Sequence, residues 1–408
     1  MKFNPLKRTT LLAVAASLLA VTNPAFAGEK LKIFILAGQS NTVGHARAHT
    51  MATLYHSGTA RDKDLTRLVF KEGSGLSKKS LEDQLARARE LDDLSGGISN
   101  DKIKAMSAGP EKTALEAEVK KRKDAHEAYK EKIAESCVVS DRVYLNSIAD
   151  GNKGAGKLGI GYGGDKSKIG PEYGFGLSIA EKVDGPILLI KTSWGGKSLN
   201  YNFRPPSAGP YELNEKEQSG GKADEIKKNA SLNYRMMNES IHGVLDNLKA
   251  NHPAYDAAAG YEIAGFVWFQ GYNDQFSPEF RDNYKDNMIS FIKDVRKEYQ
   301  VPKMPFIIGV LGTGMTAEKV AENQVSLGQR EAARAPEFKG NVLAVESYPE
   351  YSLFSHEIFS KGWPKHYYEW DTVGSDRPYH YLGSGTFFVR LGDSFAKSMA
   401  DLIAKQQK

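Results

Sequence analysis

Apolar residues fall along the chain in two rhythms. Short runs dense in Ile, Val, Leu and Phe, with little polar alternation, occupy residues 32–37, 186–191, 264–270, 305–310 and 342–346. Such runs predict strands buried on both faces, the habit of a parallel sheet. Between them, apolar residues recur at steps of three and four, predicting helices over 173–182, 232–249, 278–299 and 318–334. A last helix carries Phe388, Leu391, Phe395, Met399 and Leu402 on one stripe and should close the domain on the sheet. Strand alternating with helix predicts an α/β fold: a three-layer α/β/α sandwich around a mostly parallel, doubly wound sheet.

Two segments break the rhythm. Residues 49–165 are rich in lysine and glutamate and hold no convincing buried strand, so they read as a helical, charged insertion after the first strand. Within it, Ser80 and Asp83 form a candidate capping box before Leu85, Ala88 and Leu91, and a longer helix follows Pro110. A solvated helical hairpin and a lid or docking arm beside the active site both fit this pattern. The glycine-rich run DGNKGAGKLGIGYGGDKSKIGPEYGFG then leads back to the core. It lacks the spacing of a phosphate-binding loop after a strand, and reads as a flexible loop that lets backbone approach a substrate.

At the start of the chain, Lys2, Lys7 and Arg8 precede an apolar stretch from Leu11 to Val21 and then Ala25-Phe26-Ala27. That is the pattern of a secretory leader over residues 1–27 with cleavage after Ala27, leaving 28–408 as the mature domain, secreted or periplasmic. The leader's apolar stretch is too short to span a membrane. Losing its three positive charges lowers the net charge from +5 to +2, which is no footprint for nucleic acid. Cys137 is the single cysteine, which excludes an internal disulfide and a cysteine zinc site.

Candidate chemistry gathers at strand ends. IFILAGQSN sets Ser40 just past the first strand, where open α/β sheets place ligands. A serine hydroxyl needs a base. Of nine histidines, most lie scattered in loops or on charged helices, His45, His49 and His56 among them. His380 differs: SDRPYHYLGSGTFF puts it in a loop with Asp376 four residues earlier, ahead of the last helix. Asp376 could orient the imidazole, or the two could simply bond the loop. Two more strand ends offer oxyanion donors, Gly195-Gly196 in TSWGGKS and Asn273 in WFQGYND, although both dipeptides also favour ordinary turns.

With these residues in place, AGQSN, the glycine pair, WFQGYND and DRPYHYLGS together resemble the blocks of SGNH hydrolases, which are flavodoxin-like in fold. The likeness is narrower to the branch of sialate O-acetylesterases and carbohydrate esterase family six. It implies Ser40 as nucleophile and, through its own N–H, oxyanion donor, with Gly196 or Gly195 as the second donor and Asn273 as the third. His380 would be the general base and Asp376 the orienting acid. Two departures are particular to this chain: Asp376 stands four residues before His380 rather than three, and Tyr272 replaces the usual glutamate of the third block.

The implied activity is a serine esterase that removes O-acetyl groups from carbohydrate through an acyl-enzyme, with no metal or organic cofactor. Substrate contacts are expected from Gln39, Gln270, Arg204 and Trp194, with a loop salt bridge as the alternative for Arg204. Sugar stacking is expected from the rings near His380: Trp363, Tyr367, Tyr368, Trp370 and Tyr381. A lipase- or thioesterase-like SGNH hydrolase and a non-catalytic glycan-binding protein on an esterase scaffold are the competing readings.

Overall fold

The computed structural model describes residue 26 and residues 28–407, so the expected leader lies outside the described residues apart from Phe26. Seven strands form one sheet: β1 (Leu31–Gly38), β2 (Val143–Ser147), β3 (Gly154–Lys157), β4 (Ile187–Ser193), β5 (Tyr261–Phe269), β6 (Phe306–Val310) and β7 (Val342–Glu346). Their order across the sheet is β3-β2-β4-β1-β5-β6-β7, and every neighbouring pair is parallel except β2 with β3. The five strands expected from apolar runs are all present. Taken alone, they run second, first, third, fourth, fifth, the flavodoxin-like order whose switch point lies beside the first strand.

Alternation along β1 divides two cores. Phe34 and Leu36 point into one with Leu189, Val267 and Ile307. Ile33 and Ile35 point into the other with Leu188, Ile190, Phe266 and Trp268. Each such side chain taken fully out of water is worth about 1.5–3 kcal/mol. The helices that cover the sheet or carry the site are α1 (Ser40–Val43), α2 (Lys78–Ser95), α3 (Pro110–Ser136), α4 (Pro171–Ala180), α5 (Leu232–Leu245), α6 (Tyr284–Glu298), α7 (Gln324–Ala333), α8 (Tyr367–Val373) and α9 (Gly385–Gln406). Helices α4 and α9 pack on one face, α5, α6 and α7 on the other. The α9 stripe from Phe388 to Leu402 is fully buried, and the Ser384 side chain caps the helix by accepting from the Phe387 N–H. No helix among the described residues is long and apolar enough to cross a membrane.

Four expectations need correction. The segment 49–165 does contain a strand, β2, which extends the sheet beyond β4. It was hard to read because only alternate residues, Val143, Leu145 and Ser147, are buried. The segment is also no solvated hairpin: Leu65, Leu81, Leu85 and Ile133 join the core that holds Phe387 and Leu391. Ala88 of α2 and Val119 of α3 pack against Tyr368 of α8. The capping box sits one turn earlier than expected, between Ser77 and Ser80. The glycine-rich run, finally, is tied down rather than open: Gly154–Lys157 pairs with β2, and the Gly164 N–H donates to the Gly44 carbonyl at 2.8 Å.

Candidate active site

Strands β4, β1 and β5 lie side by side, so Gly195-Gly196, Ser40 and Asn273, each just past its strand, are brought to one crevice. At the turn out of β1 the chains nearly touch. A Cβ on Gly38 would sit 2.2 Å from the Phe269 carbonyl oxygen, so only glycine fits. Thr42 Oγ1 donates to that carbonyl at 2.7 Å, fastening α1 to the end of β5.

The Gln39 amide is the hub of the crevice. Its Nε2 donates to Asn273 Oδ1 at 3.0 Å, while its Oε1 accepts from Gln270 Nε2 (3.2 Å) and from the N–H groups of Gly271 (3.2 Å) and Asn273 (3.3 Å). This commits the oxygen of the Asn273 amide to Gln39. Asp274, fully buried, accepts from the Leu199 N–H (2.9 Å) and the Asn200 N–H (3.0 Å) and so clamps the loop after β4 to the loop after β5. Burial pushes its carboxyl up to about 6, with those N–H groups and the Gln270 amide opposing.

Of the two glycines, Gly195 already donates its N–H to Asp150 Oδ2 at 2.9 Å. Gly196 turns with φ +69° into open space, where a Cβ would meet nothing within 4 Å. The geometry therefore favours Gly196 over Gly195 as the donor available to a ligand.

Beneath α1 lies a wholly buried ion pair, Lys191 Nζ to Glu172 Oε2 at 3.1 Å, with both side chains 0% exposed. Lys191 also donates to the Val43 carbonyl at 2.9 Å and to the Tyr162 carbonyl, satisfying the C-terminal end of α1. Glu172 accepts from the Gly170 N–H at 2.8 Å. Burial draws the Lys191 ammonium below its usual value, and Glu172 pulls it back.

His380 arrives from the other side of the crevice on the loop between α8 and α9. Two residues after it in left-handed conformation, Tyr381 (φ 50°) and Leu382 (φ 63°), turn the chain sharply. Non-glycine residues in this region cost about 1–3 kcal/mol each and persist only where surroundings hold them. Here the Tyr381 ring is 1% exposed and stacks on Phe387 at 3.8 Å, and its hydroxyl accepts from the Gly312 N–H at 3.0 Å and lies 3.0 Å from Ser347 Oγ. The loop is joined to α1 by Asn41 Nδ2, which donates to the Tyr379 carbonyl at 3.2 Å.

Asp376 lies 3.3 Å from His380, Oδ1 to Nδ1, an ion-pair contact whose angle falls short of a hydrogen bond. Its other oxygen, Oδ2, lies 3.5 Å from Nδ1 of His45. The rings of His45 and His380 stack face to face, centroids 4.1 Å apart and planes 3° from parallel. Burial pushes the Asp376 carboxyl up, but the contact with His380, the Arg377 N–H and the nearby imidazoles outweigh it and hold it below the usual range. Burial, then His380, lowers His45 to about 4.

The three ligand-type atoms of this cluster lie within 4.8 Å of one another. Imidazole binds a metal in its ring plane at about 2.0–2.1 Å, and two parallel rings aim their lone pairs along parallel planes instead of at one point. In the second such group, His126, Glu127 and Asp371, the Asp371 carboxylate already holds His126 Nε2 (3.1 Å) and the Lys130 ammonium (2.8 Å).

The expected sugar contacts are placed elsewhere. Gln39 and Gln270 are 1% and 2% exposed with their amides occupied, Gln270 Oε1 by the Tyr284 hydroxyl at 3.1 Å. Trp194 is 6% exposed and packs on Phe203. Arg204 spends its guanidinium on the carbonyls of Gly209, Ala208 and Asn200, bracing its own loop without a salt bridge. Trp370 and Tyr381 are core, and Tyr368 faces the inserted helices. A different set of rings groups next to His380: Tyr379 lies 4.5 Å from the His380 ring, Tyr272 5.9 Å from Tyr379, and Phe276 5.2 Å from Tyr272. Tyr272 and Tyr379 border a cavity of about 410 Å³ whose polar lining includes Gln275, Thr313, Lys319 and Asn323. Asp150, Asp274, Lys191 and His45 had no local signal, because each acts on a partner distant in sequence.

Residues 149–347 match the family of carbohydrate esterases described as sialic acid-specific acetylesterases. No curated protein matches the sequence. Among solved structures, the chain is similar to an Arabidopsis thaliana protein at 16% identity, covering 91% of this chain and 98% of that one, with a TM-score of 0.42. It is also similar to a carbohydrate acetylesterase from Xanthomonas citri (13%, 77% and 49%, TM-score 0.35) and to NanS (9%, 78% and 78%, TM-score 0.36). The family match, over residues 149–347, is to carbohydrate O-acetylesterases, which are carboxylic ester hydrolases, and it supports that assignment for this chain.

Proposed function

We propose that the protein is an exported serine esterase that releases acetate from O-acetylated glycans through an acyl-enzyme on Ser40. His380 takes the Ser40 proton as the hydroxyl attacks the acetyl carbonyl, and returns it to the departing sugar oxygen. Water, activated by His380 in turn, frees acetate. Asp376 orients the imidazole and stabilises its charged form. The tetrahedral oxyanion is held by the N–H of Ser40, the N–H of Gly196 and Nδ2 of Asn273.

The observation that carries this reading is the Gln39–Asn273 hydrogen bond. By holding Asn273 Oδ1 at 3.0 Å, Gln39 leaves the amide nitrogen, and not the oxygen, available to a ligand. A donor in that place serves an oxyanion; an acceptor would oppose one. The cavity border of Tyr272 and Tyr379, with Phe276 packed on Tyr272, supports a glycan on the leaving-group side, since a sugar ring offers C–H groups to such faces. The basic and apolar leader pattern of residues 1–27 supports export.

Acetate release from a panel of acetylated polysaccharides, with p-nitrophenyl acetate and octanoate alongside, tests the reading. Ser40→Ala should abolish turnover while leaving the melting temperature in place. Wild-type activity in that variant would end the mechanism, and a preference for octanoate would end the glycan assignment.

A further inference from the structure

Resting on the proposed roles of His380 and Asp376, the geometry points to His45 as a positioning residue of the active site: we infer that it donates its Nδ1–H to Asp376 Oδ2 and supports the face of the His380 ring. One carboxylate is thereby shared between two stacked imidazoles, with Oδ1 toward His380 and Oδ2 toward His45.

The arrangement answers a specific weakness of the catalytic loop. Asp376 is held on the Oδ1 side by the Arg377 N–H at 2.7 Å, next to its contact with His380. On the Oδ2 side the neighbour is His45. A carboxylate fixed through one oxygen can pivot about its Cβ–Cγ bond, and a donor on the second oxygen stops that rotation. His45 suits the task because it comes from the chain just past α1. It therefore ties the base's orienting acid to the same segment that carries Ser40.

The charged groups around His45 keep it a donor and not a competing base. His380 stacks on it, Lys168 approaches from the short strand Lys168–Ile169 and Lys191 from β4, and all three disfavour a positive charge; Asp376 alone favours one. Burial adds to the first group, so His45 remains neutral at neutral pH. A neutral imidazole whose Nδ1 faces a carboxylate carries its hydrogen on Nδ1. When His380 accepts the Ser40 proton, the ring stacked on it is uncharged, and the imidazolium forms without a like charge 4.1 Å away.

Two substitutions separate the two parts of the role. His45→Phe keeps a stacking ring and removes the donor; His45→Asn keeps a donor and removes the ring. Kinetics on p-nitrophenyl acetate across pH, with thermal melting of each full-length variant, form the test. For His45→Phe we expect kcat to fall about 10 to 100-fold, the scale of a displaced catalytic group, with KM within about twofold. The acid limb of its rate profile should shift to lower pH, because the imidazolium loses part of its stabilisation. His45→Asn should recover most of the loss and the wild-type limb.

A His45→Phe enzyme with wild-type kcat and pH profile overturns the inference, as does an Asn variant no better than Phe. Should the Phe variant not melt cooperatively, His45→Ala gives the same reading against Asn. Ser40→Ala measured in parallel keeps the two failures apart. If it is inactive while His45→Phe is unaffected, only this inference falls; if Ser40→Ala is active, the mechanism beneath it falls.

Discussion

The two halves of the crevice are built by different means. On the side of β4, β1 and β5, polar groups interlock: Gln39 makes four contacts through one amide, and Asp274 joins two loops through their N–H groups. On the side of the α8–α9 loop, the imidazole contacts to Asp376 are long, 3.3 and 3.5 Å, and shape does the holding, through the stacked Tyr381 ring and a left-handed pair of residues. The difference follows the chemistry assigned to each. An oxyanion site works best when its dipoles do not reorganise, whereas a base that takes and returns a proton benefits from contacts that tighten only as charge appears.

The sharpest way to break the comparison is to remove the base. His380→Ala should lower kcat on acetyl esters by about a million-fold with little change in melting temperature. Gln39→Ala attacks the other half. Freed from its anchor, the Asn273 amide can rotate, so kcat should fall about 100-fold at near-constant KM, the scale of one lost oxyanion donor. If only stability changes, the interlocking amides serve the fold and not the reaction.

Acidification should separate the halves without mutation. His49 lies wholly buried under the loop side, its Nε2 2.6 Å from the Asp371 carbonyl, and burial lowers it to about 4 from 6.5. Between those values the unfolded chain binds a proton that the native state refuses. Stability is therefore lost as pH falls through that window, by about 3 kcal/mol at most. Asp274, raised to about 6, works in the opposite sense, since the native state takes its proton first. Hydrogen exchange at pH 4.5 should accordingly show residues 374–384 losing protection ahead of residues 195–200 and 271–276. The reverse order would show that the loop side is not the acid-sensitive one.

Asp274→Ala, which strands the Leu199 and Asn200 N–H groups, should cost about 2 kcal/mol in a denaturant melt. Tyr381→Phe should be the mildest. It deprives the Gly312 N–H of its acceptor for about 1 kcal/mol and leaves kcat near wild type, because ring packing rather than the hydroxyl holds the turn.

Legibility in the sequence followed burial and then failed at the partners. Strands covered on both faces must be apolar throughout, so β1, β4 and β5 were visible as runs, and the residues just past them could be singled out as Ser40, Gly196 and Asn273. β2 alternates and stayed hidden. Gln39 and Gln270 looked like sugar contacts because an amide beside a candidate nucleophile is polar in any reading; only the fold reveals that each faces another amide. Arg204 likewise finds carbonyls within its own loop. His45 was set among scattered loop histidines because its partner is more than three hundred residues away in the chain. Trp370 and Tyr381, expected to stack on sugar, are buried instead, since large rings near a loop are as readily recruited to hold it as to meet a ligand.

Lys191 has one further consequence, for how β4 finds its place. Its ammonium meets Glu172 and two carbonyls only when Lys191 stands opposite Leu36 of β1. A slip of one residue would turn it to the other face of the sheet, among Met237 and Ile241, with no counter-charge, at a penalty of several kcal/mol. An apolar strand such as ILLIKTS pairs almost equally well in several alignments by hydrophobicity alone. The lone cation disqualifies the wrong ones, and the alignment it permits is the one that sets the Gly195-Gly196 turn, through Gly195, beside Ser40.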